Sequence, residues 1–241
     1  MRRRILGREL RRLRERAGFT LETAAPRLEW SVSKLGRIEG GRQSVDVHSV
    51  RSMMGLDQES DRWEEVLDLT REARAPGWWR AYGVGNNSYV DFEVEAVSVR
   101  EYTVDFLPGL LQTTEYSRAM FLGSAVQRSP DQLADQIAVR TTRQRRLTSV
   151  ADPITLDAVV NEDVLYRPVG VHVAMGSGFT ILNYGGLGEP DLAYMEHSLG
   201  SLFIEKGREV RRATLSFDRL RSIALSPEQS LALIRRAAEQ T

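Results

Sequence analysis

The chain of 241 residues contains no cysteine, which excludes disulfides, thiolate zinc sites and a thiol nucleophile. Histidine is nearly as scarce, with three in all, and His172 and His197 stand at no metal-ligand spacing from one another. Both read as surface or satisfied polar residues. No apolar run approaches the about 18 residues of a membrane span, and the arginine-rich start lacks the apolar segment of a signal peptide. The expected location is the cytoplasm, with no membrane partner. Net charge is also missing, since 33 basic residues balance 33 acidic ones. What is present, a 41% hydrophobic composition, is enough for two domains with their own cores.

The balanced total hides a strong polarity. Residues 1–42 hold 12 Arg or Lys against 5 Asp or Glu, whereas residues 43–139 hold 8 against 16. A local basic surface of this kind is what counterion release at a phosphate backbone requires, whatever the global sum. Arg2, Arg3 and Arg4 extend it, and their run of like charge predicts a mobile arm able to reach phosphates or a minor groove.

Hydrophobic spacing organises the basic segment into short helices. Leu6, Leu10, Leu13 and Ala17 make a helical stripe ending at Gly18. Thr20 then caps a second helix with Leu21, Ala24, Ala25 and Leu28 on its apolar side, and Pro26 inside it removes a helical hydrogen bond and predicts a kink. The third helix lies in "SVSKLGRIEGGR", residues 31–42. Ser31 is its N-cap and Gly40-Gly41 its stop. At about 100° per residue, Val32, Leu35 and Ile38 fall on one side while Ser33, Lys34 and Arg37 share the other. Val47, Val50, Met53 and Met54 suit a fourth helix; Trp63, Val66, Leu67 and Thr70 suit a fifth.

Two short helices joined by a tight turn inside a five-helix bundle form a helix-turn-helix, whose second helix enters the major groove. The stretch "LRRLRERAGFTLETAAPRLEWSVSKLGRIEGGR" carries a resemblance, over residues 6–54, to the XRE-family (Cro-type) DNA-binding domain. That resemblance implies base-edge contacts from Val32, Ser33 and Arg37, and phosphate contacts from Ser31, Lys34, Arg42 and Gln43. It also implies a phosphate at the helix start marked by Thr20, and a structural ion pair between Arg14 and Glu39. Arg37 is the best match to guanine, because its planar fork bonds O6 and N7 together. Val32 suits a thymine methyl.

The remaining sequence has a different character. Pro, Gly and Asn in "REARAPGWWRAYGVGNNSY", residues 71–89, mark a domain junction, so the expected division is 1–75 and 76–241. Trp78, Trp79, Tyr82 and Tyr89 cluster there and form a candidate ligand pocket. "YVDFEVEAVSVREY" reads as either helix or strand. "TTEYSRAMFLG" and "DQLADQIAVRTTRQRRLT" read as helices, and the four arginines of "VRTTRQRRL" as a solvated face. Ile154, Leu156, Ala158 and Val160 alternate as in a strand, "GFTILNY", "LAYMEHS" and "SLFIEK" follow as further strands, and helices close the chain. The expected fold is an N-terminal all-α helix-turn-helix domain of five helices followed by a mixed α+β domain.

This second domain resembles the antitoxin-like (DUF5753-like) domain that accompanies XRE domains in many actinobacterial regulators. The carrying stretches are "GWW" at 77–79, "FLPGLLQTTEYSRA" at 106–119, "VNEDVLYRPVG" at 160–170, "GFTILNY" at 178–184 and "YMEHSLGSLFIEK" at 194–206. The resemblance implies a homodimeric, sequence-specific regulator on a roughly palindromic stretch of double-stranded DNA, controlled by a small-molecule effector or a small partner protein. An antitoxin-like protein that mainly holds such a partner is the second reading. The resembled domain has a further helix and strand between Gly170 and Val171, and a few more residues between Leu56 and Asp57. Residues missing from the chain there predict Cα atoms of 170 and 171 well beyond the roughly 3.8 Å of a trans peptide, and normal spacing at both places means a natural deletion.

Catalysis has thin support. Glu162 and Asp163 are adjacent and face opposite ways on a strand, a poor acid–base pair. "GSG" at 176–178 and "GGLG" at 185–188 lack the strand-to-helix setting of a phosphate loop and read as turns. No catalytic residue, metal or cofactor is expected.

Overall fold

The first fifteen helical residues, α1 (Arg2–Arg16), begin the computed structural model, in which residues 1–55, 62–85, 88–123, 128–165, 178–185, 189–197 and 200–239 are described. The chain divides into two compact units, the first formed mainly by Met1–Arg80 and the second by Ala81–Gly185 with Pro190–Thr241.

Arg2, Arg3 and Arg4 are the first turn of α1 and not an arm. Met1 is buried, and its carbonyl accepts the Arg4 amide at 2.8 Å. Arginine is a good helix former, and buried Met1 and Ile5 anchor the turn on either side of the charged run. Four further α-helices follow among the described residues of the unit: α2 (Leu21–Arg27), α3 (Val32–Glu39), α4 (Val47–Met54) and α5 (Trp63–Arg74). Leu6, Leu10 and Leu13 of α1 pack with Ala24, Ala25, Leu35, Ile38, Val50, Met53, Met54, Val66 and Leu67 in one core. At about 1.5–3 kcal/mol for each fully buried large apolar side chain, this core outweighs the poor intrinsic stability of helices of seven or eight residues.

Local chemistry sets the boundaries. Thr20 and Thr23 form a reciprocal capping box at the start of α2, Ser31 accepts the Lys34 amide at 3.1 Å, and Asp46 accepts the Ser49 amide at 2.9 Å. α2 ends one residue after Pro26, with the Leu28 amide reaching the Ala24 and Ala25 carbonyls. Glu29, in the turn that follows, takes the left-handed conformation at φ 56°, and the Trp30 amide returns to the Ala25 carbonyl at 2.9 Å. One glycine is dictated by proximity: a Cβ on Gly7 would stand 2.5 Å from the Glu39 carbonyl oxygen and 2.7 Å from that of Ile38, so α1 touches the backbone at the end of α3.

The second unit is a five-stranded sheet with helices. In chain order its elements are α6 (Tyr89–Glu93), β1 (Ser98–Thr103), α7 (Thr114–Gly123), α8 (Pro130–Gln144), β2 (Thr155–Val160), β3 (Phe179–Asn183), β4 (Leu192–His197), β5 (Gly200–Ile204), α9 (Gly207–Ile223) and α10 (Pro227–Glu239). The strand order is β2-β1-β3-β4-β5, with β1 and β2 parallel and the other neighbours antiparallel. The long connection carrying α7 and α8 permits the one parallel pairing. Register places Val99, Glu101 and Thr103 on the same sheet face as Thr180, Leu182, Tyr194 and Phe203. Helix α6 covers that face, with Tyr89 against Tyr194 at 4.8 Å and Phe92 against Phe203 at 4.6 Å between ring centroids. α9 lies on the opposite face, where Phe217 is fully buried beneath the Arg100 guanidinium.

The stretch 89–102 is both helix and strand, breaking at Val94–Val97. The arginines of "VRTTRQRRL" are not a solvated face. Arg143 is buried in a bidentate pair with Glu93 at 2.6 Å for both bonds, Arg140 reaches Gln112 and Ser117, and Arg146 donates to the Glu93 and Ala96 carbonyls at 3.0 Å. Only Arg145 of the four is exposed. The junctions at 56/57 and 170/171, His172 and most of the two glycine-rich stretches lie outside the described residues, as does the side chain of His197.

Candidate nucleic-acid interface

The sequence of α3 sorts its side chains strictly. Leu35 and Ile38 are buried in the bundle, while Ser31, Val32, Ser33 and Arg37 are exposed, Val32 to 40%. Arg37 stands at the middle of this exposed face. Its Nη1 donates to Ser33 Oγ at 2.6 Å and its Nε to Gln43 Oε1 at 3.0 Å. Its carbonyl also accepts the amides of Arg42 and Gln43 at 2.8 and 3.2 Å, which folds the segment after α3 back against the helix. Ser33, Arg37 and Gln43 therefore form one polar cluster. Such exposed bonds contribute little stability and exchange readily for groups on a ligand.

Lys34 turns aside from the cluster, its Nζ 4.1 Å from the Trp30 ring centroid. A cation held over an aromatic face keeps its donors while losing some rotamer freedom. Arg42 is exposed just beyond the helix end, beside Gly40.

The helix is fixed from below by a buried ion pair. Arg14 Nε and Nη2 donate to Glu39 Oε1 and Oε2 at 2.7 and 2.8 Å, and its Nη1 donates to the Phe19 carbonyl at 2.6 Å. Both side chains are nearly excluded from water. The Glu39 hydrogen bond raises the arginine pKa above its usual value against the opposing effect of burial. One side chain thus ties α1, the turn before α2 and the end of α3 together.

At the start of α2 the hydroxyls of Thr20 and Thr23 occupy two first-turn amides. The Glu22 carboxylate sits there as well, held below its usual pKa first by its own backbone amide and then by Thr20. That N-terminus already has an anion beside it.

Trp78 and Trp79 belong to the first unit and pack edge to face at 5.9 Å. Tyr82 and Tyr89 belong to the second, where Tyr89 contacts Tyr194 and lies under Arg143 at 5.2 Å.

In the second unit the polar chemistry is internal to the fold. Around the Glu93–Arg143 pair stand Glu101 and Arg140. Burial, reinforced by Glu93, pushes the Glu101 carboxyl up to about 7, and burial with the neighbouring Arg143 pulls Arg140 down to about 10. Burial also raises the Tyr89 phenol well above its usual value. Nothing in the local sequence announces this cluster, whose partners stand up to fifty residues apart in the chain. Glu162 and Asp163 sit on an exposed 3-10 turn, Glu162–Leu165, and not on a strand. Among the described residues no group of three His, Cys, Asp or Glu side chains is placed to hold a metal ion, and no helix is long and apolar enough to cross a membrane.

A capped amphipathic helix, presented by a partner helix across a tight turn and locked by a buried arginine–glutamate fork, defines an XRE-like helix-turn-helix protein. A helix-turn-helix domain model matches residues 5–76 and supports a DNA-binding regulator. A second model, a domain of unknown function (DUF5753), matches residues 87–175 and 169–236, well over half of the chain, and the protein belongs to that family. Neither a curated protein nor a solved structure matches the chain.

Proposed function

We propose that the protein is a sequence-specific transcription regulator that binds a roughly palindromic operator as a homodimer, with its second domain setting whether binding occurs in response to a small effector or a partner protein. The observation that carries this reading is the exposed Ser33–Arg37–Gln43 cluster on a helix whose inner face is locked in the core. Arg37 reads a guanine through its fork, Ser33 and Val32 meet neighbouring base edges, and Ser31, Lys34, Arg42, Gln43 and the Thr20 hydroxyl hold phosphates. A single recognition helix covers too few base pairs for specificity against a genome, which is the reason for a two-fold dimer. The Arg37 bonds to Ser33 and Gln43 pre-orient the guanidinium, so less entropy is lost when it engages a base.

The test is selection of fragments from the source genome with wild type and Arg37→Ala side by side at two salt concentrations. The expected result is enrichment of a short inverted repeat by wild type, with the variant about 1–3 kcal/mol weaker and relaxed at one position of each half-site. Equal binding by both, without sequence preference, overturns the assignment.

A further inference from the structure

Helix α10 is poorly explained by its own domain. Of its 13 residues only Ala237 is buried. Leu231 and Ile234 each expose 48% of their surface; Ile223, the last residue of α9, and Leu225, in the connection to α10, expose 77% and 51%. At about 100° per residue, Pro227, Leu231, Ile234 and Ala238 line up within an arc of roughly 60°, a continuous apolar stripe along a helix about 20 Å long. A helix of this length is marginal in water unless an apolar face is covered.

The charges beside the stripe indicate what covers it. Glu228 and Arg235 lie on the same flank, the first in the opening turn of the helix and the second about one turn from its end. Arg235 has no ion-pair partner among the described residues. When two copies of α10 lie antiparallel about a two-fold axis beside Leu231, Glu228 of each copy faces Arg235 of the other, and both Leu231–Ile234 stripes meet at the centre. The same patch is then complementary to itself, as an isologous interface requires. A membrane surface would call instead for a basic flank, and this one carries Glu228 and Glu239 as well as Arg235. Ile223 and Leu225, exposed just before the helix, extend its apolar surface toward the about 800 Å² per partner of a standard interface.

We infer that α10, with Ile223 and Leu225, is the surface through which two copies of this chain associate. The inference rests on the homodimer proposed above and names its location. The test is sedimentation velocity of the full chain at micromolar concentrations, comparing wild type, Leu231→Glu/Ile234→Glu, Glu228→Arg, Arg235→Glu and the Glu228→Arg/Arg235→Glu double exchange, each checked by circular dichroism. Wild type sediments as a dimer, and Leu231→Glu/Ile234→Glu as a folded monomer. Each single charge change weakens association about tenfold, and the double exchange recovers most of the loss. A wild-type dimer that persists in all variants overturns this surface and leaves the dimeric reading intact. A wild-type monomer throughout overturns both. A variant that melts earlier without changing mass shows that the chain itself covers the stripe, and also overturns the inference.

Discussion

Arg14 and Glu39, 25 residues apart, meet through two parallel hydrogen bonds of 2.7 and 2.8 Å inside the first domain. Removing one member leaves the other charged and buried, and its desolvation is then uncompensated. Arg14→Ala or Glu39→Ala is expected to cost about 3–5 kcal/mol in urea unfolding, whereas Arg14→Met/Glu39→Met is expected to lose much less because neither charge remains. A double variant as unstable as either single one contradicts this account.

Gly7 sets how closely α1 approaches α3. Alanine improves helix propensity by about 1 kcal/mol, but its Cβ would stand 2.5 Å from a backbone oxygen that no rotamer change can move. Overpacking of about 1–3 kcal/mol wins. Gly7→Ala is therefore expected to lower the melting temperature and, by displacing the end of α3, to weaken DNA binding. A neutral or stabilising effect in thermal melts means that the helices part without strain.

The first domain is legible in the sequence because its central helices are short and capped and its first helix is periodic: Thr20, Ser31 and Gly40 mark boundaries that the backbone obeys, and the Leu6–Leu10–Leu13 stripe points to the core. Arg2–Arg4 are helical in spite of their like charge because the buried neighbours Met1 and Ile5 decide the matter. The second domain is less legible for a physical reason. Arg143 looks like any surface arginine until Glu93 is brought to it from another helix, and the stretch 89–102 carries a helix and a strand too close together for either period to emerge. Local pattern reports which face is apolar; it does not report which buried charges will find partners.

Lys34 and Arg42 test the division between positioning and reading. Both are proposed as phosphate contacts, so Lys34→Ala and Arg42→Ala are expected to weaken all sequences about equally and to reduce the dependence of log affinity on log salt by about 1 each. Because Lys34 also covers Trp30 at 4.1 Å, its loss is expected to carry a small stability cost that Arg42→Ala lacks. Binding isotherms on the selected operator and on an unrelated duplex, each at several salt concentrations, separate the two. A change confined to the operator would instead give either residue a reading role.

Glu101 makes the stability of the second domain depend on pH. Its carboxyl titrates at about 7 in the folded chain, because burial and the nearby Glu93 disfavour its charge, and in the usual glutamate range when unfolded. The folded state therefore holds this proton more tightly. Its contribution is fully present below the unfolded value and is lost as pH rises from there to about 7, above which the loss is complete. The Glu101→Gln variant has no proton to lose. Its stability relative to wild type is expected to rise by roughly 2 kcal/mol between pH 5 and pH 8, read as the difference between two urea-unfolding series. Other titrating groups cancel in that difference as long as Arg140 and Arg143 keep their places, which the near-ultraviolet spectrum of the variant reports. A constant gap across the range shows that Glu101 is already compensated in the folded domain by Arg143 and Arg140.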